Sequence, residues 1–305
     1  MPILNNPHSG TLSRVAAAVA DPRSATYRLR SRVDRSGLFA RHGRLARRVG
    51  LDRVWLVLSF DCDTPQDAEV AWDVHERLLG LGVCPVYAVP GELLRGAAEV
   101  YGRIAATGAE FINHGDRMHA FFDEAAGRWA SSFFYDQQPR EVLREDVLGG
   151  DRAVRDVIGR APHGFRTPHF GTFQADEQLR WLHGVVGELG YRFSSSTVPS
   201  WGFREGPVFN RFGRLELPVS GGGEAPLSIL DTWSCFEAPD RVRTPADYER
   251  DAAALGAALA EAGAGVLNVY GDPSHIHGRD EFFRAVEGWL DVARPAGYDE
   301  LLQGL

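Results

Sequence analysis

The stretch Val54-Trp55-Leu56-Val57-Leu58-Ser59-Phe60-Asp61-Cys62-Asp63-Thr64 governs how the rest of the chain reads. Its apolar, partly β-branched first half has the composition of a central strand in a parallel sheet, buried on both faces. Side chains alternate faces along a strand, so Asp61 and Asp63 leave its C-terminal end on one side. Two carboxylates held in one site repel. The arrangement calls for a cation, or for a division of labour between a base and a metal ligand.

Working outward, short apolar runs alternate with helical segments. Val54 to Phe60 is followed by a helix through Ala68 to Leu79, a strand from Val83 to Val89 and a helix from Gly91 to Thr107. Further strands are expected at Ala109 to Ile112, Gly164 to Arg166, Tyr191 to Ser194, Leu215 to Val219, Ile229 to Trp233 and Val266 to Tyr270. This repetition predicts an α/β fold with about seven or eight parallel strands, closing into a barrel whose chemistry sits at the C-terminal strand ends. Polar residues collect at those ends: Asp61 and Asp63, Asn113 and His114, Arg166, Ser194 to Thr197, Asp231, Asp272 and His275.

At 305 residues, 44% hydrophobic and 24% charged, the chain suits one large catalytic domain. We expect it at 51–305, preceded by an arginine-rich helical extension at 1–50. The net charge of -8 argues against wholesale nucleic-acid binding, although Arg28, Arg30, Arg32, Arg44, Arg47 and Arg48 crowd the extension. The chain contains no Lys, which reads as coding bias. Leu38, Leu45 and Val49 make the extension amphipathic, with Gly43 and Gly50 as breakers. A surface helix packed on the domain is the plainer reading, and an interface with a membrane surface or another protein is the alternative. Cys62, Cys84 and Cys235 show no paired spacing, which suits a reducing compartment. The start, Met1 to Pro7, lacks the pattern of a secretory signal, and no apolar run is long enough to span a bilayer. A cytoplasmic location is expected.

Asn113-His114-Gly115-Asp116-Arg117-Met118-His119 supplies the next candidates. A five-residue step on a regular helix turns the side chain by roughly 140°. His114 and His119 can therefore face one ion only if Gly115 breaks the segment into a loop. With Asp63 they form an Asp-His-His set suited to zinc or a similar divalent ion, with positions open for water and substrate. Asp116 is the substitute ligand.

Together, Ser59-Phe60-Asp61-Cys62-Asp63, the His114-Gly115 segment preceded by Gly108 to Asn113, and Gly164-Phe165-Arg166-Thr167-Pro168-His169-Phe170 resemble the first three motifs of the polysaccharide deacetylase superfamily (NodB homology, carbohydrate esterase family 4). The resemblance runs from about Val54 to about Leu290. It implies a NodB-like distorted barrel, with Asp61 as general base, Asp63, His114 and His119 as metal ligands, Arg166 as the partner of the base, and the His169 backbone N–H as an oxyanion donor. Cys62 separates aspartates that the family usually has adjacent, a variant similar to the allantoinase-like branches. The histidines are one residue further apart than in the family.

The closing motif departs most. In Val266 to His275 the family's histidine falls near Asp272, whereas His275 lies three residues on. Imidazole suits proton donation to a leaving amine better than an unshifted carboxylic acid, so His275 is the expected acid and Asp272 the alternative. His277 reads as a solvated neighbour. Trp201, Trp233 and Phe236 are candidates for pocket walls or core, and Asp231 loosely matches an aspartate that supports the family's histidine. Gly221-Gly222-Gly223 reads as a rim loop. The resemblance implies a metal-dependent N-deacetylase acting on an N-acetylated amino sugar or saccharide, with zinc the divalent ion that the donor set suits first. The alternatives are another C–N hydrolase of the allantoinase-like or deformylase type, or a non-catalytic carbohydrate-binding protein. Nothing in the sequence sets the oligomeric state.

Overall fold

Eight strands joined by parallel pairing form the body of the molecule. The computed structural model describes residues 22–238, 242–303 and 305, so the reading of Met1 to Pro7 and the rest of 1–21 lies outside the described residues. In chain order the strands are β1 (Val54–Asp61), β2 (Val86–Val89), β3 (Phe111–Asn113), β4 (Ala120–Asp123), β5 (Arg128–Ser131), β6 (Gly164–Phe165), β7 (Phe193–Ser194), β8 (Phe209–Asn210), β9 (Leu215–Glu216), β10 (Gly265–Gly271) and β11 (Arg294–Pro295). The main sheet runs β10-β1-β2-β3-β6-β7-β9-β8, with β11 also on β1. Within it only β8 is antiparallel, and β4 and β5 form a separate antiparallel hairpin.

Alternation along β1 builds the interior. Leu56, Leu58 and Phe60 face outward into the core beneath the helices, and Val57 faces inward with Val86, Ala88, Ile112, Phe193, Leu217 and Val266. Ser59 and Asp61 continue that inward row, so the barrel passes from an apolar floor to a polar middle and then to the site. Cys62 falls on the outward face, fully buried, which places the Asp-Cys-Asp insertion in the core and away from the chemistry.

Strand pairing does not close the barrel. The Leu217 to Ser220 segment lies beside β10: Ser220 donates its N–H to the Asn268 carbonyl at 2.8 Å, and the Asn268 amide donates to the Leu217 and Pro218 carbonyls at 3.0 Å each. The expected strand at Ile229 to Trp233 is absent apart from one bridge between Gly221 and Ile229. Asp231 there accepts from both the N–H and the hydroxyl of Ser234, a local alternative to a ladder, and Trp233–Glu237 forms a π-turn. The expected Gly91 to Thr107 helix is two helices, Gly91–Gly96 and Ala98–Ala106.

The arginine-rich segment forms helices Pro22–Val33 and Arg35–Arg48. Leu38 and Phe39 enter the main core. Its arginines serve the carbonyls that other helices leave unpaired at their C-termini: Arg47 donates twice to the Ala262 carbonyl, and Arg41 donates to those of Phe203 and Arg204. Gly43 is not a breaker. It lies inside the helix where a Cβ would come within 2.8 Å of the Ala262 carbonyl, so its role is close approach.

His42 is buried in this contact with neither ring nitrogen hydrogen-bonded. Burial pushes its pKa down to about 4, with the nearby Gly202 backbone opposing only in part. Between the unfolded value near 6.5 and about 4, the unfolded chain takes up a proton that the fold excludes, so stability falls as pH falls. The loss approaches roughly 3 kcal/mol at the acid end. His75, buried and likewise lowered to about 4, contributes similarly, so His42→Leu is expected to remove a part, not all, of the difference in urea midpoint between about pH 7 and about pH 5. An unchanged difference would place the acid sensitivity elsewhere.

Candidate metal centre and catalytic residues

The loop between β3 and β4 brings the two histidines together. Asn113 starts it: its side-chain oxygen accepts the Gly115 N–H at 2.9 Å, and its amide donates to Val147 and Tyr191. Gly115 takes φ +80°, where a Cβ would also run into Asp146. Asp146 accepts the Asp116 and Arg117 N–H groups and is itself held by the Tyr135 hydroxyl at 2.5 Å. The segment is therefore a loop, and the His114 and His119 rings meet edge to face with centroids 4.6 Å apart.

Asp63 Oδ1 lies 3.4 Å from His114 Nε2 and 3.2 Å from His119 Nε2. One ligand atom from each of the three residues falls within 4.8 Å of the others. Both histidines are buried, and Asp63 Oδ1, His114 Nε2 and both His119 nitrogens lack hydrogen-bond partners. Buried polar atoms left unpaired and converging on one point fit a divalent cation, and one carboxylate with two imidazoles is a zinc donor set. His114 is further prepared for it. Its Nδ1 lies 2.9 Å from the Arg166 carbonyl, which can only accept, so Nδ1 carries the proton and Nε2 presents its lone pair. Burial raises the cost of charge on Asp63, but the neighbouring His119 and His114 outweigh it and hold that carboxyl well below the usual range. Asp116 is turned away, 2.9 Å from Arg95, and is not part of the cluster.

Asp61 stands beside this cluster, its Oδ2 4.0 Å from His114 Nε2. Arg166 takes its other oxygen at 2.6 Å. The guanidinium is fully buried and is saturated from several elements: it also donates to the Ser59 hydroxyl (2.8 Å), the Tyr298 hydroxyl (2.6 Å) and Ser195. Tyr298 in turn donates to Asn268 Oδ1 at 2.7 Å. Burial works against the charge on Arg166, yet Asp61 and then Tyr298 raise its pKa, so it stays cationic. Of these supports Ser59, two residues before Asp61 on the inward face, and Ser195, among the polar residues at a strand end, are legible in the sequence. Tyr298 and Asn268 come from distant segments with no local signal. Below them the buried Glu216 accepts the Ser196 and Thr197 N–H groups and pairs with His183 at 2.9 Å, fixing the loop that carries Ser195.

β10 runs in register with β1, Phe60 opposite Gly271, which delivers Asp272 next to the end of β1. His275 follows on the short helix Pro273–Ile276 with Nδ1 3.0 Å from Asp272 Oδ2. Thr232, which the sequence does not single out, donates its hydroxyl toward Asp272 and lies 3.1 Å from His275 Nδ1. Burial lowers the His275 pKa, but Asp272 more than compensates and the net shift is upward. Trp233, half exposed, sits with its ring 5.8 Å from that of His275. His277 is exposed beside Asp73.

His169 has φ +56°, an uncommon value for a residue with a Cβ, and its ring Nε2 donates to the Ser132 carbonyl at 2.7 Å, stacked near Phe134 and edge-on to His119. Two aromatic candidates lie elsewhere. Trp201 stacks on Phe209 in a separate buried cluster with Phe212 and Leu179, and Phe236 is core against Tyr248. Apolar rings this large gain more from complete burial than a half-wet wall would give them. Asp231 caps Ser234 and does not bond His275.

No family model and no curated protein matches the sequence. Solved structures do match the fold. A Mycobacterium smegmatis protein, named by inference as a polysaccharide deacetylase, is 19% identical with a TM-score of 0.58, over 82% of this chain and 89% of its own. A Pseudomonas aeruginosa PAO1 protein, similarly named, is 14% identical with a TM-score of 0.58, over 83% and 91%. PuuE allantoinase is 11% identical with a TM-score of 0.57, over 84% and 91%. By the likeness of its fold over most of its length, the chain shares the distorted-barrel architecture of these solved structures, two of them named as polysaccharide deacetylases.

Proposed function

We propose that this protein is a metal-dependent amide hydrolase that removes an N-acyl group, acetyl in the first instance, from an amino sugar or saccharide. The observation that carries the reading is the convergence of unpaired, buried Asp63, His114 and His119 atoms beside an Asp61 carboxylate clamped by Arg166.

Asp63, His114 and His119 would hold the ion, zinc by their chemistry. A divalent ion bound there supplies Lewis acidity toward the acyl oxygen and lowers the pKa of a water to about 7. Arg166 occupies one oxygen of Asp61, which leaves Oδ2 to take the proton of the attacking water. The His169 N–H, turned by its unusual φ, is the donor we assign to the developing oxyanion, a contribution of about 3 kcal/mol where such donors are removed. With Nδ1 engaged by Asp272, His275 has Nε2 to deliver a proton to the departing amine, and its raised pKa keeps that proton in place at neutral pH. Trp233 beside it offers a face to a sugar ring or an acyl methyl.

Allantoinase, of similar fold, keeps a second substrate class open, although Cys62 of the Asp-Cys-Asp segment is buried away from the site. The three cysteines, all free thiols, are consistent with a cytoplasmic location, and among the described residues no helix is long and apolar enough to cross a membrane. The test is amine release from a panel of N-acetylated amino sugars by the protein as purified, after chelation, and after zinc is restored. Release that disappears and returns supports the proposal. No amine release from the sugars together with ring opening of a ureide such as allantoin, followed as the carboxylate formed, would move the activity to the second class, and no turnover of either would remove the catalytic reading.

A further inference from the structure

Nine large apolar side chains are exposed among the described residues, and two of them, Leu29 and Val33, lie on the Pro22–Val33 helix. That helix packs on the Arg35–Arg48 and Pro199–Glu205 helices. Val33 is two residues from Arg35, whose guanidinium reaches the Glu224 carbonyl in the loop beyond β9, so the end of the helix lies beside that loop.

Leu29 and Val33, 62% and 73% exposed, are four residues apart and share a face of that helix. Tyr27, turned from Leu29 by roughly 160°, packs on the main core. Arg28 and Arg32 flank the apolar pair on one side and Arg30 on the other. All three are exposed and make no salt bridge to a described residue. Residues 22 to 48 hold nine arginines and one acid, Asp34, in a chain of net charge -8. The remaining surface is thus strongly acidic and would be repelled by the partner that attracts this helix, which orients the molecule. Glu124 at the hairpin turn, Glu224 beside Arg35 and Glu237 in the turn that carries Trp233 are exposed acids, so the helix alone is the contact.

We infer that the Pro22–Val33 helix docks the protein on an anionic phospholipid surface. Guanidiniums would meet the phosphates while Leu29 and Val33 enter the acyl boundary. A nucleic acid would use the arginines but gains nothing from the apolar pair between them. An amide hydrolase held this way meets an amino sugar carried on a lipid. That second step rests on the function proposed above, whereas the docking does not.

Sedimentation of the full chain with phosphatidylcholine vesicles, with and without phosphatidylglycerol, tests it. Binding should need the anionic lipid, weaken with salt, and drop about tenfold or more in Leu29→Ser/Val33→Ser and, separately, in Arg30→Gln/Arg32→Gln. Thermal unfolding and amine release from soluble sugars should stay at wild-type levels in both. No binding to anionic vesicles at low salt would overturn the inference. So would binding that the arginine pair weakens and the apolar pair does not, or equal affinity for an RNA oligomer, because each marks a purely electrostatic surface. Vesicle binding without any amine release would keep the docking and remove the lipid-linked sugar.

Discussion

Replacing His114 with alanine is expected to empty the centre of its divalent ion and to cut amine release by at least about a thousandfold. Of the three ligands we propose, His114 is the one whose tautomer the fold prepares. Its Nδ1–H is held by the Arg166 carbonyl, so the lone pair on Nε2 points at Asp63 without reorganisation. Alanine removes that donor and also leaves the Asp63 carboxylate, buried against two imidazoles, with one. Elemental analysis of the purified variant beside wild type, with urea midpoints for both, is the measurement. One ion per chain in wild type and none in a folded variant is the expected result. An ion retained at wild-type stoichiometry would mean that the three residues are not the ligands.

Asp61→Asn should lower kcat by about a thousandfold, within the range for loss of a general base, while the ion stays bound. The pair of variants separates the two carboxylates. Asp61 gives one oxygen to Arg166 and has Oδ2 left for the base role we propose, whereas Asp63 faces the histidines. Asparagine preserves the shape and one acceptor for the guanidinium but cannot take the proton. It also leaves a buried cation without its counter-charge, so a loss of stability of about 3 kcal/mol is expected beside the kinetic effect. Steady-state kinetics at matched folded fraction distinguish them, with KM changing little. Near-wild-type kcat in a folded, metal-loaded variant would remove Asp61 from the base role and direct attention to Asp272.

Much of this is legible in the sequence. The run Val54 to Asp61 declared a buried parallel strand because two-sided burial leaves little place for polar residues along it. Period-two alternation then put Asp61 and Asp63 on the side away from Cys62, where the structure has them. The loop at Gly115 was legible as a condition, since a helix could not turn both histidines to one ion. Less legible were Ile229 to Trp233, where side-chain capping by Asp231 displaced the strand, and Gly43, where contact with Ala262 kept the helix intact. Trp201 and Trp233 looked alike in sequence and parted in the fold, one stacked in a closed cluster and the other beside His275.

The sequence by itself determined the residue types at the strand ends, and with them the class of chemistry, because alternation and spacing are local properties of the chain. Only the tertiary structure decided what holds them. Arg166 is satisfied by Ser59, Ser195 and Tyr298, drawn from three separated stretches, and the barrel is closed by the Asn268 amide where no ladder forms. Burying a guanidinium requires partners on every side, and which partners arrive depends on how strands far apart in sequence come to lie side by side.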